Sequence, residues 1–200
     1  MRIVVPFRGR GAKSRLGRSP EESLALALAM LGDVLAACTA VGETGVVTDD
    51  DGGRAVAAEL RAEVVDDPGG GQGVAVAAAL RALEPGPVLV VNADVPCVVP
   101  HDLRQLLAAA PAAGIGVVAA ADGTTNALAL ALPGLFAPLY GEGSAARFLA
   151  HARGLGLDGL AVSIPNLAED VDTIADLHRL QFRVGPRTQA AIAYLLAEAS

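Results

Sequence analysis

Cysteine, lysine and long apolar segments are all scarce in this 200-residue sequence. The two cysteines, Cys38 and Cys97, lie in unrelated contexts and form no C-x-x-C pair. Two isolated thiols provide neither a disulfide framework nor a cysteine zinc site. No uninterrupted apolar run is long enough to cross a bilayer, and the charged start leads into glycines rather than the apolar core of a signal peptide. We therefore expect a cytoplasmic protein without a membrane partner.

Negative charge dominates the chain, which has a formal net charge of -7 at pH 7. An acidic protein lacks the basic surface that binds nucleic acid, so we expect no nucleic-acid partner. The start of the chain is the exception, because its first 18 residues hold six of the 15 basic residues and the first acid is Glu21. Lys13, in this segment, is the only lysine beside 14 arginines. We interpret the segment as a local anion site.

Short apolar segments alternate with helical patterns along the chain. The predicted strands are Ile3–Phe7, Gly45–Thr48, Glu63–Val65, Val88–Val91, Ile115–Ala120, Ala127–Leu132 and Leu160–Ile164. The predicted helices are Ser19–Cys38, Arg54–Arg61, Val74–Leu83, His101–Ala109, Ser144–Arg153, Thr173–Gln181 and Thr188–Glu198. The first begins with a predicted capping box, in which Ser19 is the N-cap, Pro20 the first helical residue and Glu22 the partner three residues on. Val88–Val91 is apolar on both faces, as expected in a mainly parallel sheet covered by helices. No repeat or linker divides the chain, so we expect a single α/β domain over residues 1–200.

Two glycine-containing loops follow predicted strands, where ligands bind in such sheets. The first has the sequence "FRGRGAKSRL", in which Gly9 and Gly11 let N–H groups face an anion while the basic side chains supply charge. It is not a P-loop, because Ala12 stands where that pattern needs glycine. The second, "DDPGGGQG", opens a helix and could approach a base or phosphate, although Val74 breaks the G-x-G-x-x-G pattern. The alternatives are a solvated basic turn and a flexible turn.

Acidic side chains follow two further segments. Asn92 and Asp94 come directly after the buried strand, and a carboxylate there must be solvated, paired or metal-bound. Asp170 and Asp172 form a D-x-D pair whose side chains point the same way if the segment is extended, which suits a hard divalent cation. A turn role for Asp94, and a helix-cap role for Asp172 or Thr173, remain alternatives. Together with a basic loop, these acids indicate magnesium-dependent chemistry on a nucleotide phosphate.

Two polar segments complete the candidate site. "DGTTNALAL" places Thr124, Thr125 and Asn126 just before a predicted strand. "YGEGSAARFLA" places Gly141, Gly143 and Ser144 at a helix start, where main-chain N–H groups and the helix dipole favour a carboxylate or phosphate. Ser144 alone would equally suit a helix N-cap.

The order of these motifs resembles the 2-phospho-L-lactate / phosphoenolpyruvate guanylyltransferases, which act in the biosynthesis of coenzyme F-420. The resemblance covers about residues 1–180 and is carried by "AKSRL", "SPEE", "DPGGG", "NADVP", "TTNAL", "YGEGSAARFLAHA" and "NLAEDVDTIADL". It implies a Rossmann-like three-layer sandwich of the nucleotide-diphospho-sugar transferase type. The chain departs from many members at Gln72-Gly73, where they have Leu-Asn.

The resemblance also implies roles for individual residues. It implies metal ligands at Asp94, Asp170 and Asp172, acceptor contacts at Thr125, Gly141 and Ser144, nucleotide contacts at Arg8, Gly11, Lys13, Arg15, Gly70 and Gly71, and catalytic roles for Lys13 and Asp94. The implied cofactor is Mg²⁺, as two ions. The implied reaction moves GMP from GTP to the phosphate of phosphoenolpyruvate or 2-phospho-L-lactate and releases pyrophosphate.

Two rival functions stay open at this point. One is another nucleotidyltransferase with a molybdopterin or sugar-phosphate acceptor, and the "TTNAL" and "YGEGS" segments disfavour it because they suit a small phospho-acid. The other is a nucleotide-binding regulator without catalysis, which would not need the three acids. The segment after Phe182 carries no motif, and its apolar stretch is interpreted as a packing helix or, alternatively, a homodimer contact.

Overall fold

A computed structural model describes residues 1–9 and 19–198 of the chain, with side chains as far as residue 195. Gly11, Lys13 and Arg15 therefore lie outside the described residues. The roles expected for them stay predictions.

In the described part of the chain, seven strands form one sheet. They are β1 (Arg2–Pro6), β2 (Glu43–Val47), β3 (Glu63–Val65), β4 (Val88–Val91), β5 (Gly114–Ala119), β6 (Thr125–Leu130) and β7 (Asp158–Ala161). Their order is β3-β2-β1-β4-β6-β5-β7. All neighbours pair in parallel except β6, which runs antiparallel to β4 and β5. The expected mainly parallel sheet is confirmed.

Helices cover both faces of this sheet. They are α1 (Pro20–Thr39), α2 (Asp51–Glu59), α3 (Gln72–Arg81), α4 (Pro100–Ala109), α5 (Ser144–Gly154), α6 (Pro165–Ala168), α7 (Ile174–Leu180) and α8 (Pro186–Glu198), with a 3-10 turn at Pro133–Leu135. The alternation along β4 shows the three layers, because Leu89 and Val91 belong to one apolar core and Val88 and Val90 to the other. Helices α3 and α5 cover the second core, and the remaining helices cover the first.

The reversed direction of β6 brings its first residues to the carboxyl edge of the parallel strands. The strand was predicted to begin at Ala127, but Thr125 already pairs with Ala119, and the Asn92 amide donates to the carbonyl of Asn126 at 2.9 Å. The prediction was wrong because Thr125 and Asn126 break the apolar pattern, while their backbones continue the ladder. Both side chains are buried at this edge.

Two other boundaries differ from the sequence pattern. Helix α2 begins at Asp51 rather than Arg54, because the side chain of Asp50 accepts from the amide of Gly53 and caps the helix. Strand β7 lies earlier than predicted, because Asp158 starts its parallel pairing with β5. The capping box at Ser19 is confirmed, since its hydroxyl accepts from the Glu22 amide at 3.2 Å and the Glu22 carboxylate accepts from the Ser19 amide at 2.8 Å.

Helix α1 is long and apolar enough to cross a membrane by length and composition alone. In this fold it is instead a core helix, and Leu26, Met30, Leu31 and Leu35 are fully buried. Its apolar surface is therefore explained by packing within the domain.

Helix α8 packs against α1 and is fixed there by Asp33, a buried acid within α1. The Asp33 carboxylate accepts from the amides of Arg187 at 3.1 Å and Thr188 at 2.8 Å, so it caps the N-terminus of α8. Arg187 also pairs with Glu59 on α2 through its two terminal guanidinium nitrogens, Nη1 and Nη2. These contacts support the interpretation of α8 as a packing helix.

Candidate functional site

Two neighbouring clefts open at the carboxyl edge of the parallel strands. The first, which we call the glycine cleft, has a volume of about 370 Å³ and is lined by Arg8 and Gly69–Gly71. The second, the acidic cleft, has a volume of about 530 Å³ and is lined by Asp170, Asp172 and polar residues of β6 and α5. Gln72, Asn92 and Asp94 line both clefts and form their common wall. The topology thus brings together loops that are distant in sequence.

The wall of the glycine cleft is a turn that requires glycine. Gly69, Gly70 and Gly71 have φ values of 77°, 87° and 96°, which L side chains rarely adopt. Gly71 is the N-cap of α3, and the amide of Gly69 donates to the carboxylate of Asp67 at 2.8 Å. These three glycines allow main-chain atoms, without side chains in the way, to line the cleft. Arg8 supplies a positive charge to the same cleft.

The common wall is a relay of amide hydrogen bonds. Gln72 donates from Nε2 to Oδ1 of Asn92 at 2.7 Å, and Asn92 donates from Nδ2 to the carbonyl of Thr125 at 3.0 Å. The relay therefore joins the start of α3, the end of β4 and the start of β6. A displacement of Asn92 would disturb both clefts.

Two buried hydroxyls form the far side of the acidic cleft. Thr125 Oγ1 and Ser144 Oγ are 2.9 Å apart and share a hydrogen bond. The amide of Ser144 donates to the carbonyl of Gly141 at 3.0 Å, so this N–H group is already used within the turn. Ser144 is the first residue of α5 rather than its N-cap, which is Gly143. The hydroxyl pair is thus a polar feature of this side of the cleft, and the expected acceptor contact at Ser144 stays a prediction.

The three predicted acids face one cleft. Val171 is fully buried and its amide donates to the carbonyl of Asp94 at 3.0 Å, so Asp170 and Asp172 on either side of it reach the acidic cleft beside Asp94. Thr173, not Asp172, caps helix α7. The alternation that the D-x-D spacing predicts is therefore present.

Crowding of the acids affects their protonation. Burial, and then the neighbouring charge of Asp94, raises the pKa of Asp170 to about 6, while the side chain of Asn126 acts in the opposite direction. Within residues 1–9 and 19–198, no three His, Cys, Asp or Glu side chains form a group that could hold a metal ion by themselves.

Comparison with known proteins identifies the type of enzyme. The model of the family described as "Guanylyl transferase CofC like" matches residues 1–195. The chain belongs to this family. It is 40% identical over 208 residues to the phosphoenolpyruvate guanylyltransferase of Streptomyces coelicolor, covering 97% of this chain and 96% of the relative. It is 35% identical over 197 residues to the 2-phospho-L-lactate guanylyltransferase of Natrialba magadii, covering 88% and 81%. The chain is thus a nucleotidyltransferase.

Solved structures confirm the fold. A Desulfovibrio desulfuricans protein named after the nucleotide-diphospho-sugar transferases superposes with a TM-score of 0.76 at 17% identity, over 98% of this chain and 95% of that one. A nucleotidyl transferase from Methanothermobacter gives 0.67 at 22% identity, over 90% and 94%. The expected nucleotide-diphospho-sugar transferase-like sandwich is therefore correct.

Every residue of the described ranges for which the resemblance implies a role lines one of the two clefts. Arg8, Gly70 and Gly71 line the glycine cleft, Thr125, Gly141, Ser144, Asp170 and Asp172 line the acidic cleft, and Asp94 lines both. No role was predicted for Arg147, which binds the loop before α5. Its position within "GSAARFLA" was the available signal, because an arginine one turn into a helix can reach back to the preceding loop.

Proposed function

We propose that this chain transfers GMP from GTP to the phosphate of phosphoenolpyruvate and releases pyrophosphate. The observation that carries the proposal is the pair of clefts meeting at Asp94, because a group transfer needs donor and acceptor to meet beside one charged wall. The names of the relatives support guanylyl transfer to a small phospho-acid. We further propose a cytoplasmic location and a role in coenzyme F-420 biosynthesis, as the family resemblance implies.

The donor nucleotide is assigned to the glycine cleft. Gly70 and Gly71 expose backbone without a side chain, and Arg8 offers charge to phosphate oxygens. The basic segment that contains Gly11, Lys13 and Arg15 follows Arg8 in the sequence. We propose that Lys13 binds the triphosphate as a compact point charge.

The acceptor is assigned to the acidic cleft. An oxygen of its phosphate attacks the α-phosphorus of GTP in line, the bond from that phosphorus to the bridging oxygen breaks, and pyrophosphate leaves with the bonding electrons. The product contains a new phosphoanhydride between the acceptor and GMP. A phosphate is already ionised at neutral pH, so no general base is needed, and the rate enhancement comes from positioning and charge stabilisation.

The acids of the acidic cleft fit Mg²⁺ as a cofactor. Asp94, Asp170 and Asp172 offer hard carboxylate oxygens. Burial, and then the neighbouring charge of Asp94, raises the pKa of Asp170, and a bound cation would favour its charged form. Mg²⁺ is usually bound by one or two carboxylates together with substrate phosphates and water, so a protein-only group of three ligands is not required. When bound, the metal would supply positive charge to the transferred phosphoryl group.

The test is pyrophosphate release by the purified chain with Mg²⁺. GTP and ATP are each combined with phosphoenolpyruvate, 2-phospho-L-lactate and 3-phosphoglycerate. We expect turnover to be fastest with GTP and phosphoenolpyruvate. Fastest turnover with 2-phospho-L-lactate would correct the acceptor, and no release with any phospho-acid would overturn the proposal.

A further inference from the structure

Arg147 binds the loop in front of its own helix. From the first turns of α5, its guanidinium donates to the carbonyl of Leu139 at 2.9 Å, to that of Tyr140 at 3.1 Å, and to that of Glu142. A second bond to Leu139 comes from Nε at 3.2 Å. Three of the four carbonyls in residues 139–142 are thus held on one side of the loop by one side chain.

The remaining carbonyl, that of Gly141, accepts from the amide of Ser144. The loop turns sharply at two glycines, because Gly141 has a φ of 113° and Gly143 a φ of 64°. The ring of Tyr140 packs edge-on against Phe148 at a centroid distance of 5.5 Å. The loop is therefore fixed by backbone, aromatic and guanidinium contacts together.

The direction of these carbonyls decides the direction of the amides. In a trans peptide the C=O and the next N–H point in opposite directions, and no peptide bond in the described ranges is cis. Carbonyls turned toward Arg147 therefore turn the N–H groups of Tyr140, Gly141 and Gly143 away from it. Tyr140 and Gly141 line the acidic cleft, whereas Arg147 does not. None of the three amides donates to another group within the described part of the chain.

We propose that Arg147 is a positioning residue for the acceptor: it holds the loop carbonyls back so that the amides of Tyr140 and Gly141 face the acidic cleft as an anion-binding pair. This inference rests on the proposed function, because it assigns the pair to the phosphate or carboxylate of the phospho-acid. Successive N–H groups aimed into a concavity bind anions well. The arginine thus acts from outside the cleft, through the backbone.

Arginine is suited to this role for a geometric reason. Its planar guanidinium presents five N–H donors in a fixed fork, whereas an ammonium is a single point with three rotatable donors. A lysine at this position would keep the charge near the loop without fixing all three carbonyls. The Arg147→Lys substitution therefore separates the effect of the charge from the effect of the guanidinium geometry.

The kinetic test compares Arg147→Ala and Arg147→Lys with Arg153→Ala, an exposed arginine on the same helix. We expect Arg147→Ala to raise the KM for phosphoenolpyruvate about tenfold or more while the KM for GTP stays within about twofold. Arg147→Lys should recover only part of the loss, and Arg153→Ala should behave as the wild type. An unchanged acceptor KM, equal rises for both substrates, or full rescue by lysine would each overturn the proposal.

A binding measurement keeps the proposal separate from the proposed function. Amide NMR of the ¹⁵N-labelled chain is recorded during titration with phosphoenolpyruvate alone. The amide signals of Tyr140 and Gly141 should shift in the wild type and in Arg153→Ala but respond only weakly in Arg147→Lys. If the wild type shows these shifts but releases no pyrophosphate, the proposed function fails and the positioning role stands. Equal responses in Arg147→Lys and the wild type would refute the positioning role, whatever the turnover.

Discussion

The loops at residues 67–72 and 139–143 both contain left-handed glycines, yet they are held in different ways. In the first loop three consecutive glycines make the turn, and the nearby Asp67 bonds the amide of Gly69. In the second loop single glycines alternate with other residues, and Arg147 holds the carbonyls from the following helix. The shape of the first loop is thus determined locally, and that of the second depends on a side chain five to eight residues further on.

This difference matches the ligands assigned to the two clefts. A nucleotide is large and makes many contacts, so its binding loop needs only main-chain atoms that leave room for it. A small phospho-acid makes few contacts, so each donor must be aimed accurately. Substitutions in the common wall should therefore affect both substrates, and substitutions in either loop should affect one.

The largest effect is expected at the common wall. Asp94→Asn should lower turnover by at least about 100-fold, because a neutral amide removes charge that the metal and the transferred phosphoryl group require. Pyrophosphate release at several Mg²⁺ concentrations measures it, with Asp158→Asn, an exposed acid on β7, as the control. Near-normal release by Asp94→Asn would show that the two clefts do not share a catalytic wall.

A smaller effect, confined to the acceptor, is expected at the hydroxyl pair. Thr125→Val removes the bond to Ser144 at nearly constant volume and should cost about 1–3 kcal/mol in kcat/KM for the acceptor. Ser144→Ala should behave similarly, because it leaves the buried Thr125 hydroxyl without that partner.

The double variant provides the control for this pair. If the two hydroxyls act as a unit, the losses in the double variant will be far from additive. Fully additive losses, or equal changes in the KM for GTP, would show that the pair does not serve the acceptor specifically.

A third substitution tests the glycine cleft. Gly71→Ala places a side chain at a φ of 96° and ψ of 172°, a conformation almost exclusive to glycine, which costs about 1–3 kcal/mol. The loop should shift and reduce kcat/KM for GTP about tenfold with little change in the acceptor KM. Gly134→Ala, where an added Cβ meets no atom within 4 Å, is the matched control. A larger change in the acceptor KM than in that for GTP would reverse the assignment of the clefts.

The smallest effect on catalysis is expected far from both clefts. Asp33→Ala removes the cap of α8 and should lower the free energy of unfolding by about 0.5–2 kcal/mol while both KM values stay unchanged. Urea unfolding and steady-state kinetics on the same preparation measure the two effects. A changed KM would mean that α8 influences the site, which the packing alone does not suggest.

Sequence patterns that arise directly from local hydrogen bonding or burial predicted much of this fold. The capping box at Ser19 follows from local hydrogen bonding. Strand β4 is apolar throughout because it is buried on both faces. The D-x-D spacing also predicts that Asp170 and Asp172 face one side, with Val171 turned into the core. Each of these features depends only on residues that are close in sequence.

Other features depend on partners that a sequence does not specify. The role of Arg147 rests on carbonyl groups, which every residue has, so no residue type marks its partners. The bond between Gln72 and Asn92 joins two loops twenty residues apart, and the departure from the family pattern at Gln72 was its only sign. The antiparallel direction of β6 has no signature in its apolar pattern, and it is what brings Thr125 to the site.

The cap that Asp33 places on α8 also has a consequence for synthesis of the chain. The two partners are 154 residues apart, so at about 5–20 residues per second the ribosome needs roughly 8–30 seconds to supply the second after the first. During that interval the apolar side of α1 that packs against α8 is uncovered, and an exposed apolar helix invites association with other chains. Helix α8 therefore covers α1 only after all the residues between them have been made, and a nascent chain that stalls before Pro186 would display an aggregation-prone surface.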